Sequence, residues 1–388
     1  MVADPLSAFR TVLNGAHRAR PEDLPALTMR AARLLDADEI VIYLVDYGQQ
    51  NLVPLAGAGA PPRQPVRIDG TLAGRAYALT ETYPADTEGG PRLWIPLLDG
   101  TTRIGVLEVV GPDASAHEDY QALASLLAEL LVSRRSYSDV VERTRRWVPM
   151  QLAAEIVWNV MPPPAFIAES VAISAILEPC YDVGGDAFDY AVNGDVLHAA
   201  IFDTVGHGID ACALTSLTIN AYRNARRTGL DLVDTYRSVD KWVTARFPGS
   251  FVTALLTELD SVSGRYRRIC AGHPGELLLR DGKLVKTLPA PTAMPLGLAD
   301  LGPRRPAVDE EALQPGDQLL MYTDGVVEAR TADGEFFGVD RLADFLTRTL
   351  AGQVSGPETL RRLVQAILSH QHEQLQDDAS AVLIQWPP

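Results

Sequence analysis

Cysteine is scarce in this chain. Cys180, Cys212 and Cys270 are the only three in 388 residues; they are scattered and never paired at metal-ligand spacing, which excludes a disulfide framework and a zinc ribbon. Lysine is just as scarce: of 34 basic residues, only Lys241, Lys283 and Lys286 are lysines. Positive charge as a whole falls short of the 50 acidic residues and leaves a formal charge of −16. Such a surface repels a phosphate backbone, so nucleic acid is not an expected partner. Long hydrophobic runs are also missing. No window reaches the roughly 18 uninterrupted apolar residues of a membrane span, and the N-terminal MVADPLSAFRTVLNG has no basic stretch leading into an apolar one. No membrane partner is expected, and a reducing cytoplasm suits the free thiols.

What is present is an ordinary globular composition, 47% hydrophobic and 22% charged, in a chain long enough for two domains at ~100–200 residues each. Residues 22–36 carry apolar positions at helical spacing, and the period changes to that of a strand at Asp38. The segments 51–59, 92–100 and 102–111 are β-rich, the last two joined by Asp99-Gly100, a hairpin dipeptide. From His117 to about Trp147 a helical pattern places Tyr120, Leu123, Leu127, Leu130, Tyr137 and Val141 on a heptad-like seam. Pro149 breaks it, and 151–160 resumes a shorter helix that Pro162, Pro163 and Pro164 end. The expected organisation is a first domain over 1–116, a helical linker over 117–164 whose seam either forms a coiled coil that would make a homodimer or packs on its own domain, and a third region over 165–388. That region alternates strands at 195–203, 250–260, 266–272, 317–324 and 379–386 with helices at 209–228, 231–246 and 357–375. The fold class expected is α+β.

Four acidic points in the last region share one pattern, an Asp at the end of an apolar strand or beside glycine: Asp186 in YDVGGDAFDY, Asp203 in AAIFDTVGHG, Asp324 in LLMYTDGVVEA, and Asp377 with Asp378 in LQDDASAVLIQW. Carboxylates at strand ends are held rigidly, and several converging would repel one another unless cations sat between them. Hard divalent ions take oxygen donors of this kind.

These motifs, with AGHP at 271–274 and EFFG at 335–338, resemble the sporulation stage II E-type phosphatases, bacterial relatives of the type 2C metal-dependent protein serine/threonine phosphatases. The resemblance covers roughly 165–388, in order. It implies an α-β-β-α sandwich and a site for two Mn²⁺ or Mg²⁺ ions, with Asp203 bridging both and the carbonyl of Thr204 as a further ligand. Asp186, Asp324 and Asp377 complete the metal set, Asp377 being preferred to Asp378 because DDAS aligns by its first acid; Asp186 and Asp203 are the residues assigned to catalysis. Hydrolysis then proceeds by in-line attack of a water whose pKa the ions lower. The cysteines, without a CX₅R setting, are read as small buried residues. His207, four positions after Asp203 in a G-H-G turn, is read as structural, and His273 as a turn residue or a support of the site. Ala187 and Asp210 depart from the family's usual residues without removing a ligand.

The N-terminal half resembles a GAF domain through LLDADEIVIYLVD, IDGTLAGRAY at 68–77 and the RLWIPLLDG/TRIGVLEV hairpin. It implies a sensor of an unspecified small molecule, or a spacer and dimerisation module. The absence of cysteine from this half disfavours a bilin, and His17 and His117 give a haem little support. The function expected is a protein phosphatase whose substrate, by resemblance, is a phosphorylated STAS-domain anti-sigma-factor antagonist. The competing expectation is a phosphatase fold acting as a signalling scaffold.

Overall fold

The structure, a computed structural model, describes residues 4–387 apart from 113–115, 183, 290–292, 304, 353, 372–374 and 376. The chain divides into two units, residues 1–149 and 150–388.

The first unit runs α1 (Pro5–Ala16), α2 (Leu24–Leu34), β1 (Glu39–Val45), β2 (Asn51–Pro54), β3 (Val66–Arg67), α3 (Leu72–Leu79), β4 (Tyr83–Thr87), β5 (Gly90–Asp99), β6 (Thr102–Val110), α4 (His117–Arg134) and α5 (Val140–Arg145). The strands form one antiparallel sheet in the order β3-β2-β1-β6-β5-β4. The unbroken apolar run of β1 has a simple cause: both faces of the strand are covered. Ile40, Ile42 and Leu44 join a core with α1, α2 and α4, while Val41, Tyr43 and Val45 join a second core with α3, and a strand buried on both sides has no solvent face to keep polar.

The second unit runs α6 (Leu152–Val160), β7 (Ala165–Ile167), β8 (Ala172–Glu178), β9 (Ala187–Asn193), β10 (Val196–Thr204), α7 (Ile209–Arg227), α8 (Leu232–Arg246), β11 (Val252–Asp260), β12 (Arg265–Ala271), β13 (Leu277–Arg280), β14 (Lys283–Thr287), β15 (Asp309–Ala312), β16 (Gln318–Tyr322), α9 (Asp324–Val327), α10 (Gly338–Ala351), α11 (Gly356–His370) and β17 (Ala379–Gln385). Two antiparallel sheets result, β15-β12-β11-β10-β9 and β14-β13-β16-β17-β8-β7. Strand periodicity sorts their side chains between layers. Ala199, Ile201, Leu255, Val382 and Ile384 meet between the sheets. Ala200, Phe202, Ala254 and Leu256 turn outward onto α6, α7 and α8, and Ala381 and Leu383 turn outward onto α9, α10 and α11. This is the expected α-β-β-α sandwich.

Two expectations are corrected here. The helix begun at His117 ends at Arg134, and its seam is not free for a second copy. Tyr120, Leu123 and Leu127 are wholly buried in the core of their own unit, and the Tyr120 hydroxyl donates to the Leu35 carbonyl at 2.8 Å. This face of α4 follows the alternative reading, a helix packed on its own domain. The expected linker 117–164 also divides between the units: α4 and α5 close the first, whereas α6 packs Ala153, Ala154 and Val157 into the second. Part of the expected helix 357–375, residues 372–374, lies outside the described residues, as does Val183 of the YDVGGDAFDY stretch.

Candidate active site

Antiparallel pairing explains why the four acidic motifs meet. β10 ends where β9 begins, with Phe202 opposite Ala187, so Asp203 and Asp186 project from one edge of the first sheet. β16 ends where β17 begins, with Tyr322 opposite Ala381, so Asp324 and the Asp377-Asp378 pair project from one edge of the second. The two edges are stitched together by Asp378. Its buried carboxylate accepts the main-chain N–H of Gly184 (2.9 and 2.7 Å to its two oxygens), of Gly185 (2.8 Å) and of Asp186 (3.2 Å). Thr323 adds a second stitch: its hydroxyl donates to Asp186 Oδ2 at 2.7 Å and its oxygen accepts the Ser380 N–H at 3.0 Å.

Glycine is needed at two of these contacts because backbone meets backbone. A Cβ on Gly185 would stand 2.5 Å from the Thr204 carbonyl oxygen, and one on Gly325 would stand 1.9 Å from the carbonyl oxygen of Asp378. The Thr204 hydroxyl lies 2.8 Å from that of Thr215, which bonds the Gly185 carbonyl at 2.9 Å. The Thr204 side chain thus faces into the fold, while its carbonyl lies against the GGD loop.

The carboxylates raise one another's pKa. Burial pushes Asp186 well above the usual range, and the charges of Asp203 and Asp378 add to it. Burial raises Asp203 to about 6, with Asp324, Asp377 and Asp378 contributing repulsion. Asp324 is raised by burial and then by Asp377 and Glu328. Asp378 is raised by burial even though the N–H groups it accepts pull the other way. Among the described residues, no lysine or arginine forms an ion pair with any of these acids. Buried like charges without a counter-charge are costly, and the all-oxygen donor set is of the type that hard divalent cations take. The donors fit such ions in chemistry. In position, no three His, Cys, Asp or Glu side chains among the described residues are gathered closely enough to hold an ion as they stand.

The doublet at 377–378 separates into two roles that the sequence did not distinguish. Asp377 is exposed and, among the described residues, accepts only the Asp378 N–H at 2.9 Å, whereas the carboxylate of Asp378 is engaged with the GGD loop. The sequence reading weighed Asp378 only as an alternative metal ligand to Asp377 and did not foresee its contact with the GGD loop; Thr323 is a site residue it missed, and nothing in the sequence marked it. His207 sits exposed between Gly206 and Gly208, both with positive φ. His273 is buried, with Nδ1 3.0 Å from the Thr253 hydroxyl. All three cysteines are buried and in no disulfide, and burial raises Cys212 and Cys270 to about 11, the reverse of what a thiolate nucleophile requires.

Comparison with known proteins agrees with this architecture. Residues 193–387 match the family described as Stage II sporulation protein E (SpoIIE). The chain belongs to the SpoIIE family. Asp203, Thr204, Asp324, Asp377 and Asp378 fall inside the matched segment, and Asp186 lies just before it. Residues 24–134 match the GAF domain, a stretch that ends with the last residue of α4. "Phosphoserine phosphatase RsbU" of Bacillus subtilis is 23% identical over 218 residues, 56% of this chain and 63% of that protein. "Protein IcfG" of a Synechocystis species is 24% identical over 246 residues, 55% of this chain and 37% of that protein. The SpoIIE-family chain thus spans less than two thirds of the curated relatives it matches. Among solved structures, that of the RsbU and RsbW domains of Rv1364c from Mycobacterium tuberculosis is 27% identical with a TM-score of 0.50, covering 58% of this chain and 63% of that one. Among the described residues no helix is long and apolar enough to cross a membrane.

Proposed function

We propose that this SpoIIE-family chain is a divalent-metal-dependent phosphatase that hydrolyses phosphoserine or phosphothreonine on a protein. The observation that carries the reading is the convergence of acids from four strand ends, with no lysine or arginine paired to them among the described residues. Asp203, Asp186, Asp324, Asp377 and the Thr204 carbonyl are the groups that would hold two Mn²⁺ or Mg²⁺ ions. When bound, such ions supply Lewis acidity toward phosphoryl oxygens and lower the pKa of water. The chain's own contribution is to fix the oxygens: Asp378 holds the GGD loop, Thr323 orients Asp186, and β10 carries Asp203 on a rigid strand. No side chain is needed as nucleophile, and the buried thiols are unsuited to it.

The substrate proposed, from the family resemblance, is a phosphorylated STAS-domain protein; a relative named a phosphoserine phosphatase fits the phosphoserine part of this reading. The GAF unit is proposed to regulate the output. The test is hydrolysis of p-nitrophenyl phosphate by the full chain with Mn²⁺. Activity lost on adding EDTA and in both Asp203→Ala and Asp324→Ala supports the reading. Metal-independent activity, or activity retained in both variants, overturns it.

A further inference from the structure

Asp186 accepts a 2.7 Å hydrogen bond from a neighbouring hydroxyl, that of Thr323, whereas the hydroxyl nearest Asp203 stands farther off. The counterpart for Asp203 is across the ladder. Thr253 of β11 pairs directly with Asp203 of β10, and directly opposed residues of an antiparallel pair place their side chains on one face within reach of each other. The Thr253 hydroxyl lies 3.5 Å from Asp203 Oδ2 and 3.0 Å from His273 Nδ1. His273 follows the end of β12, with 2% of its surface exposed.

The imidazole is a poor choice for packing alone. Its Nε2 is buried and makes no hydrogen bond of good geometry, although a hydrogen bond from the ring to the main chain of Tyr322, the residue before Thr323 and Asp324, opposes the effect of burial. A buried polar atom without a partner costs free energy that an apolar residue of similar size would not. Burial also keeps the ring neutral, its pKa pushed down to about 3, so exactly one nitrogen carries a proton. If that proton is on Nδ1, the ring donates to the Thr253 oxygen, and the threonine hydrogen is directed away from the ring to Asp203.

We infer that Thr253 and His273 form one positioning device, in which His273 Nδ1–H fixes the Thr253 hydroxyl as donor to Asp203 Oδ2 and so sets which carboxylate oxygen is turned toward the metals. Both are positioning residues; neither touches substrate. The inference rests on the proposed metal site but not on the proposed phosphatase activity, because metal binding can be read separately.

The experiment is calorimetric titration of the full chain with Mn²⁺, alongside p-nitrophenyl phosphate hydrolysis and melting in EDTA. Groups that orient a ligating side chain typically change metal affinity about 10–100-fold when removed. Thr253→Val and His273→Leu are each expected to weaken Mn²⁺ binding by about tenfold. Thr253→Ser, which keeps the hydroxyl, and His273→Asn, which keeps an N–H near the Nδ1 position, should remain within about threefold of wild type. The double variant Thr253→Val/His273→Leu should be no weaker than the poorer single, since a relay broken once is broken. Wild-type affinity in both single variants overturns the inference, as does a double variant whose losses multiply, which would mark two independent packing effects. Should a leucine or valine variant fail to fold in EDTA, the serine and asparagine variants decide, with loss of Mn²⁺ binding in both counting against the relay. Wild-type chain that binds Mn²⁺ but hydrolyses no ester defeats the functional reading and leaves the positioning test intact; wild-type chain that binds no Mn²⁺ defeats both.

Discussion

Asp378 Oδ2 accepts the main-chain N–H of Gly185 at 2.8 Å across 193 residues of sequence. The contact joins the start of β17 to the loop before β9, and so fixes the acids of one sheet relative to those of the other. It also distinguishes two neighbouring acids, Asp378 engaged with the loop and Asp377 exposed.

The pair can be told apart by substitution. Asp378→Ala leaves the N–H groups of Gly184, Gly185 and Asp186 without their buried acceptor, and a loss on the order of 3 kcal/mol is expected. Asp377→Ala, at an exposed position, should leave the melting temperature in EDTA unchanged while abolishing Mn²⁺-dependent hydrolysis. Thermal melts of both variants with and without Mn²⁺ check this; a Asp377→Ala variant with full activity would move the ligand role to Asp378.

Backbone proximity gives a second expectation. Gly325→Ala puts a Cβ where the Asp378 carbonyl oxygen already lies, and neither partner is the end of a flexible side chain. The second unit should lose several kcal/mol, on the order of the largest single-site effects, or fail to fold. A Gly334→Ala control, at a position with open space around it but positive φ, should cost only about 1 kcal/mol. Comparable melts for the two variants would contradict the packing described.

Cation binding should stabilise the second unit. With acids repelling one another in the absence of counter-charge, Mn²⁺ is expected to raise its melting temperature, and Asp203→Ala to remove most of that gain. At a concentration 100-fold above Kd, a ligand that binds only the folded state contributes about 2.7 kcal/mol. Differential scanning calorimetry in Mn²⁺ and in EDTA provides the measurement, and an equal rise in the Asp203→Ala variant would count against the site.

His198 supplies a pH dependence. Burial, and then the charge of Arg226, lowers it to about 4; Glu258 stands 3.6 Å from its Nδ1 on the neighbouring strand. Because the folded pKa lies below the unfolded value, the unfolded chain binds the extra proton between pH 6.5 and about 4, so this residue's contribution is complete above 6.5 and is lost as pH falls through that window. His198→Gln, which does not titrate, should therefore show a shallower fall in stability from pH 7 to pH 4, by on the order of 2 kcal/mol. Parallel curves for variant and wild type would show that His198 does not titrate differently on folding.

The α4 seam carries a prediction for the first unit. Leu127→Ala should destabilise that unit by about 2–5 kcal/mol, because Leu127 is fully buried in its core. A variant that instead leaves the melt unchanged and alters only the oligomeric state would restore the coiled-coil reading.

The seam shows where sequence reading stops. Apolar residues three and four apart establish that a helix has one apolar face, but not whether a second helix or the chain's own sheet covers it; here the sheet residues Leu93 and Leu107 share the core with Leu123 and Leu127. Elements with strong local signals were legible: β10, β11, β12, β16, α7, α8 and β17 lie where periodicity placed them, and glycine at Asp99-Gly100 makes the β5–β6 turn with φ 56°. The acids were legible because each stands at one end of an apolar strand or beside glycine. Their supports were not. Thr253 and Thr323 act through cross-strand and inter-sheet contacts that depend on register, and no local feature of SFVTALL or LMYTDG marks their hydroxyls.

The most direct test of the account is phosphate release from a phosphoserine STAS-domain protein incubated with the full chain in Mn²⁺, in EDTA, and with the Asp203→Ala variant. The account predicts release in Mn²⁺ alone, lost in EDTA and in the variant. Release that persists in EDTA or in Asp203→Ala, or none by the wild-type chain where residues 150–388 alone are equally silent, would contradict it.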